Sequence, residues 1–241
     1  MKTRTTYVVG GVRIPFMKSM TAYRDVTTPE LMTASLKSLV ERYNLKGKVV
    51  GDVALGALMQ SSANWNFARE VVQASGLHPN TPAYNVQRAC GTSLETTIQI
   101  AHKISSYQIE SGIAGGVDSN SDLPIMVTRS FSQKLVALNS ARTLGEKLRI
   151  FLSFRPSDLK PVPPAVVEPR TGKSMGEHCE LMVKEWKISR QEQDELALAS
   201  HLNAAKAYKD GFYADLVFPF LGKSTDGIMR GDTTLEKLAK L

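Results

Sequence analysis

Short apolar runs alternate, through the first half of the chain, with stretches whose apolar residues recur every three or four positions. Residues 5–12 (TTYVVGGV), 53–59 (VALGALM), 83–86 (AYNV) and 111–117 (SGIAGGV) read as four strands, the first of them buried. A helix opens at Thr28, a capping residue, followed by Pro29, which suits a first turn. It carries Leu31, Ala34, Leu36, Leu39 and Val40 on one face. A second helix runs within 61–77 and stops at Gly76. A third follows Cys90, with Leu94, Ile98, Ala101 and Ile104 at the spacing of one face. Strands alternating with helices predict an α/β fold whose central sheet is mixed but largely parallel.

The pattern changes after Pro124. Leu135, Leu138, Arg142 and Gly145 mark one helix, and Leu144, Leu148, Phe151 and Leu152 another; basic residues are interleaved with both. Basic amphipathic helices suit an anionic membrane surface or a partner, and equally suit simple packing on a core. Residues 159–170, with Pro161, Pro163, Pro164 and Pro169, read as an irregular connection. Ser189 with Glu192 three positions on forms a capping box for a long helix with a stripe of Leu196, Ala199, Ala204, Ala207 and Tyr208. The expected division is an α/β domain over 1–125 and a mainly helical domain over 126–241.

Composition narrows the class. The 241 residues carry a formal charge of +7, with 42% apolar and 22% charged residues, ordinary for a globular protein. The positive surplus fits a solvated surface or phosphorylated ligands, and no nucleic-acid-binding pattern accompanies it. No apolar run approaches membrane-spanning length, and the N-terminus reads as a first strand with no signal or transit peptide. Cys90 and Cys179 are the two cysteines. They have no metal-ligand spacing, and so few thiols point to a reducing compartment.

Cys90 stands where a strand gives way to a helix. The free N–H groups and dipole of a helix start favour an anion, and thiols so placed are drawn toward the nucleophilic thiolate. Against this stands the common role of free cysteine as a small buried hydrophobe.

Residues 85–101 (NVQRACGTSLETTIQIA) and 110–125 (ESGIAGGVDSNSDLPI) resemble the nucleophile region of the thiolases. The pattern there is Cys-x-Ser-Gly-Leu, a helix, and a strand ending in Ala-Gly-Gly-x-Glu-x-Met-Ser. The match continues in Arg13-Ile14-Pro15-Phe16, near the family's Arg-Thr-Pro-Phe, and in Asn66, Ala68 and Arg69, near its Asn-x-Ala-Arg. It extends through 174–220, with Met175-Gly176 and the Ile-Ser-Arg step at 188–190. A ketoacyl synthase also uses a cysteine at a helix start, but the stretch from Ser174 to Asn203 matches thiolases better.

The resemblance implies a thiolase-like N-terminal α/β domain plus loop domain, with the C-terminal catalytic domain absent. It implies a 3-ketoacyl-CoA thiolase of fatty-acid β-oxidation, an acyltransferase working through a cysteine acyl-enzyme. Cys90 maps onto the nucleophile and Met175 onto the methionine lining the acyl pocket. CoA is a substrate, no cofactor is permanently bound, and residues 126–230 map onto the region holding CoA. Asp118 stands in place of the family's glutamate, Asn120 of its methionine, and Ser93 of the glycine in the nucleophile motif. The family's Gly-His-Pro motif, second reactive cysteine and Asn-Glu-x-Phe segment do not occur, so this chain alone is expected to be incomplete. The alternative is a non-catalytic thiolase-like chain that binds CoA esters or a partner subunit.

His78, His102 and His201 read as structural or exposed, His178 as a weak candidate base, and Cys179 as a packing residue. The resemblance implies CoA and acyl-CoA and further copies of the chain as partners. Residues 126–154 resemble the loop region of the β subunit of fatty-acid oxidation complexes, which implies a hydratase–dehydrogenase subunit, or else a C-terminal half, as a further one. Peripheral membrane contact is also expected, and nucleic acid is not. The expected location is the cytoplasm of a bacterium or the mitochondrion, with association with a membrane as one option.

Overall fold

In a computed structural model, which describes residues 3–241, three short strands lie side by side: β1 (Asp52–Gly56), β2 (Ala83–Val86) and β3 (Gly112–Gly116). The order is β2-β1-β3 and both pairings are parallel. Gly56 stands in register with Val86 on one side and Gly116 on the other, so all three strands end at one edge.

Every residue of β1 is buried, which marks it as the strand covered on both faces. Alternation along it sorts the layers. Val53 and Leu55 join Met32, Leu36 and Val40 of α1 (Thr28–Arg42) and Phe67, Ala68, Val71 and Val72 of α2 (Phe67–Ser75). Ala54 meets Ile100 of α3 (Thr92–Ser105) with Val86. The result is a three-layer α/β/α arrangement.

The caps follow local chemistry. Thr27, one residue earlier than expected, caps α1, because only from there does Glu30 fall three positions on and return the bond to the Thr27 N–H. Asn66 accepts the Arg69 N–H at 3.0 Å to start α2, and Gly76 ends it in the left-handed region at φ +91°. Residues 5–12 are a correction. They form no strand, and Tyr7, Val8 and Val9 are exposed. Arg4 and Thr6 fasten this segment to the Ile104, Ser105 and Ala101 carbonyls of α3, and no sheet partner among the described residues reaches it. Apolar alternation gives a segment a face to bury, but a strand also needs a ladder.

The chain divides into two compact units, one comprising Met1–Asp122 with Val183–Leu241 and the other Leu123–Met182. In the first unit, Arg13 makes a fork to both carboxylate oxygens of Asp226, at 2.7 and 2.8 Å, across 213 residues of sequence. Asp226 also accepts the Phe16 N–H, and Arg13 stacks on the Phe16 and Tyr213 rings. The long helix α7 (Arg190–Lys209) has the expected Ser189–Glu192 capping box. The C-terminal part of its expected stripe, Ala204, Ala207 and Tyr208, is half-buried, whereas Leu196 and Ala199 are exposed and Ala197 and His201 take the half-buried side in the first part. A short helix, α8 (Leu235–Leu238), closes this part, and Arg190 donates to the Leu238 carbonyl.

The second unit holds α4 (Arg129–Ser140), α5 (Leu144–Leu152), a 3-10 turn at Pro156–Leu159, and most of α6 (Met175–Trp186). Helix α4 ends before Arg142, because Thr143 and Glu146 form a new capping box that starts α5. No helix among the described residues is long and apolar enough to cross a membrane.

Candidate active site

Strand β2 ends at Val86, at the carboxyl edge of the parallel sheet, the edge at which α/β folds place their sites. From there Gln87, Arg88 and Ala89 lead to Cys90, and Gly91 is the N-cap of α3. Ala89 takes φ +44°, a left-handed conformation that costs a residue with a Cβ on the order of 1 kcal/mol. The chain is therefore bent into an elbow that leaves Cys90 exposed, as a free thiol.

Three sets of contacts hold the elbow. The Thr92 hydroxyl accepts the Arg88 N–H at 2.9 Å and donates to the Ala89 carbonyl at 2.8 Å, and the Gly91 N–H donates to the Arg88 carbonyl at 3.0 Å. Gln60 donates to the Ala57 and Val86 carbonyls and accepts from Asn85, whose own carbonyl oxygen takes the Ala68 N–H at 2.8 Å. Asp118 accepts the Leu58 and Met59 N–H groups, both at 3.0 Å, and ties the loop after β1 to the end of β3. Of the matched Asn66 and Arg69, Asn66 caps α2 and Arg69 donates to the Thr81 carbonyl at 2.6 Å, at the chain that enters β2 and away from the Cys90 edge.

Beyond Cys90, the Ser93 and Leu94 N–H groups have no hydrogen-bond partner among the described residues, which is how a helix start leaves its first turn. Arg88 pairs with Glu95 at 2.8 Å across the elbow. The Gln99 hydrogen bond, and then the positive charge of Arg88, hold the Glu95 carboxyl below the ordinary range against partial desolvation. The site thus offers an exposed thiol, free amide donors on the turn that follows it, and a basic side chain beside it.

Other expected residues stand elsewhere. Met175 opens α6 in the second unit and is exposed, and Cys179 on the same helix is exposed as well, not packed as expected. His178 Nε2 lies 2.9 Å from the Thr171 hydroxyl. His78 Nδ1 accepts the Asn80 N–H and His201 Nδ1 the Arg230 N–H, while His102 is exposed. Among the described residues no histidine hydrogen-bonds to Cys90. The sequence reading missed Thr92 as the tie across the elbow. Its signal was the hydroxyl residue that the thiolase pattern carries two positions after the cysteine.

An exposed cysteine on an elbow between a parallel strand and a helix places the chain among α/β proteins, and comparison with known proteins narrows the class. The sequence profile described as "Thiolase, N-terminal domain" matches residues 6–241, and the chain belongs to the thiolase family. It is 40% identical over 240 residues to a 3-ketoacyl-CoA thiolase of Photobacterium profundum, covering 97% of this chain and 55% of that protein. A 3-ketoacyl-CoA thiolase of Citrobacter koseri gives the same figures over 243 residues. The fold is similar to that of an acetyl-CoA acetyltransferase from Bacillus anthracis, with a TM-score of 0.80 at 27% identity, over 100% of this chain and 59% of that one. The chain spans about half the length of the curated relatives it matches.

Proposed function

We propose that this chain carries the nucleophile of a degradative 3-ketoacyl-CoA thiolase. The observation that supports the reading best is the exposed Cys90 on its elbow, at the start of α3 and at the carboxyl edge of the sheet. In this reading the Cys90 thiolate attacks the keto carbon of a 3-ketoacyl-CoA. The adjoining carbon–carbon bond breaks, and its electrons leave with acetyl-CoA as an enolate, which takes up a proton. The thiol of a second CoA then attacks the acyl-enzyme thioester and frees Cys90. The general base and oxyanion donors the reaction needs come from the portion of the family's length that this chain does not span. Met175 contributes to the acyl pocket. CoA is a substrate, with no resident cofactor, and the setting is the cytoplasm of a bacterium. The working protein is an oligomer.

Helix α5 supports a contact with an anionic lipid surface. Leu144, Leu148, Phe151 and Leu152 form one face, exposed by 86, 59, 65 and 74%. Seven lysines and arginines stand against two acidic residues between 129 and 160. Sedimentation with phosphatidylglycerol vesicles that is lost in Phe151→Ser supports lipid as the occupant. Absence of sedimentation favours a protein partner such as a hydratase–dehydrogenase subunit.

The test of the main reading is transfer of an acyl group from an acyl-CoA to the 241-residue chain, with Cys90→Ser as control. A mass increase of one acyl group on Cys90, absent in the control, is the expected result. A Cys90 that takes up neither acyl group nor iodoacetamide overturns it.

A further inference from the structure

Thr92 joins the elbow to the sheet through two chemically distinct contacts. Its hydroxyl bridges the Arg88 N–H and the Ala89 carbonyl, so it spans the residue held at φ +44°. Its methyl group sits against the α-carbon of Gly56, the last residue of β1: a Cβ added at Gly56 would collide with that methyl and with the Val86 carbonyl oxygen. The side chain is buried, although the helix turn around it is exposed. Alanine has no intrinsic preference for the left-handed region, so something outside Ala89 must hold it there. The Thr92 hydroxyl touches both peptide groups flanking the bend. Serine would supply the hydroxyl without the methyl, and valine would fill the notch without the hydroxyl.

We infer that Thr92 is the positioning residue for Cys90. Its hydroxyl fixes the left-handed bend, and its methyl keys that bend to Gly56, so that the thiol leaves the sheet edge in one direction. The inference rests on the reading of Cys90 as nucleophile. Its physical core, the tie itself, is measurable without that reading.

The experiment uses the 241-residue chain carrying Cys179→Ser, so that iodoacetamide reports Cys90 alone, with amide exchange at Arg88 as the geometric readout. Thr92→Val is expected to slow alkylation of Cys90 about tenfold and to raise Arg88 exchange by about the same factor. Thr92→Ser is expected to stay within about twofold of the parent on both. Adding Ala89→Gly to Thr92→Val is expected to recover much of the alkylation rate, because glycine adopts positive φ without strain; a merely structural Thr92 would give no such rescue. Parent-like alkylation and parent-like Arg88 exchange in Thr92→Val overturn the inference, as does equal damage from serine and valine. If the valine variant fails to fold, Thr92→Ala decides the same point through Arg88 exchange. A Cys90 no faster than Cys179 in the unmodified chain would refute the nucleophile reading instead, and Arg88 exchange would still decide the tie.

Discussion

The two units are held together by opposite means. Every buried hydrophobic residue among those described belongs to the first unit, and in the second only Asp158 is buried. The first unit is an apolar sandwich in which β1 meets helices on both faces. The second is organised around a charge. Asp158 pairs with Lys134 at 2.6 Å and accepts the Arg155 N–H at 2.8 Å. Lys134 also donates to the Ser153 carbonyl, and the Thr128 hydroxyl to that of Asp158. A polar lock gathers α4, α5 and the 3-10 turn, with Phe131 packed edge to face on Phe154, while Leu135, Val136, Leu144, Leu148, Phe151 and Leu152 stay exposed. An apolar core settles the position of everything laid over it, whereas a polar lock fixes a few joints and leaves a surface free for contact.

Three changes probe this contrast. Leu55→Ala, in the middle of β1, should remove about 3 kcal/mol from the first unit, measured by urea unfolding. A loss below about 1 kcal/mol would mean that the sandwich is not what holds it. Asp158→Asn should loosen the second unit with little effect on the first, and acid should do the same to the parent. The Lys134 hydrogen bond, then the Arg155 N–H and the Ser130 hydroxyl, hold the Asp158 carboxyl at about 2 against an ordinary 3.8. A depressed folded value means that the ionised form favours folding. The contribution is complete above 3.8 and is lost as the pH falls toward 2. Near-ultraviolet dichroism or amide exchange within 128–159 should follow that window, and the asparagine variant should be indifferent to it. The smallest effect belongs to Phe151→Ser, which should change stability by no more than about 0.5 kcal/mol, because the ring is exposed apart from its edge contact with Phe154. A large loss there would show that α5 is buried in solution.

Much of the first unit could be read from sequence because its chemistry is local. Strand β2 falls on the residues expected, Gly76 stops α2, and Ser189 with Glu192 starts α7. The face of α3 shows where such reading fails. Leu94 and Ile98 look like the buried side and are exposed, while Thr92, Thr96 and Ile100 lie against the sheet. A threonine can turn its hydroxyl back onto its own helix, as Thr96 does to the Ser93 carbonyl at 2.8 Å, and then pack through its methyl. A hydrophobic pattern counts it as polar. The position of Cys90 was legible from the strand–helix change. The tie that sets its direction was not, since it depends on Thr92 meeting Gly56, a residue far back in the chain. The Asp158 lock was also out of reach, because the burial of a carboxylate is decided by neighbours that no periodicity names.

The Arg13–Asp226 fork also imposes an order of events on synthesis. A ribosome adding 5–20 residues per second needs about 10 to 40 s to make the stretch between the two partners. By the later part of that interval the N-terminal segment and the three strands have left the tunnel, with Asp226 and the last stretch of their own unit still unmade. The residues of Leu123–Met182 emerge in between and can close their lock first. The first unit therefore cannot complete its own contacts until Asp226 has been made.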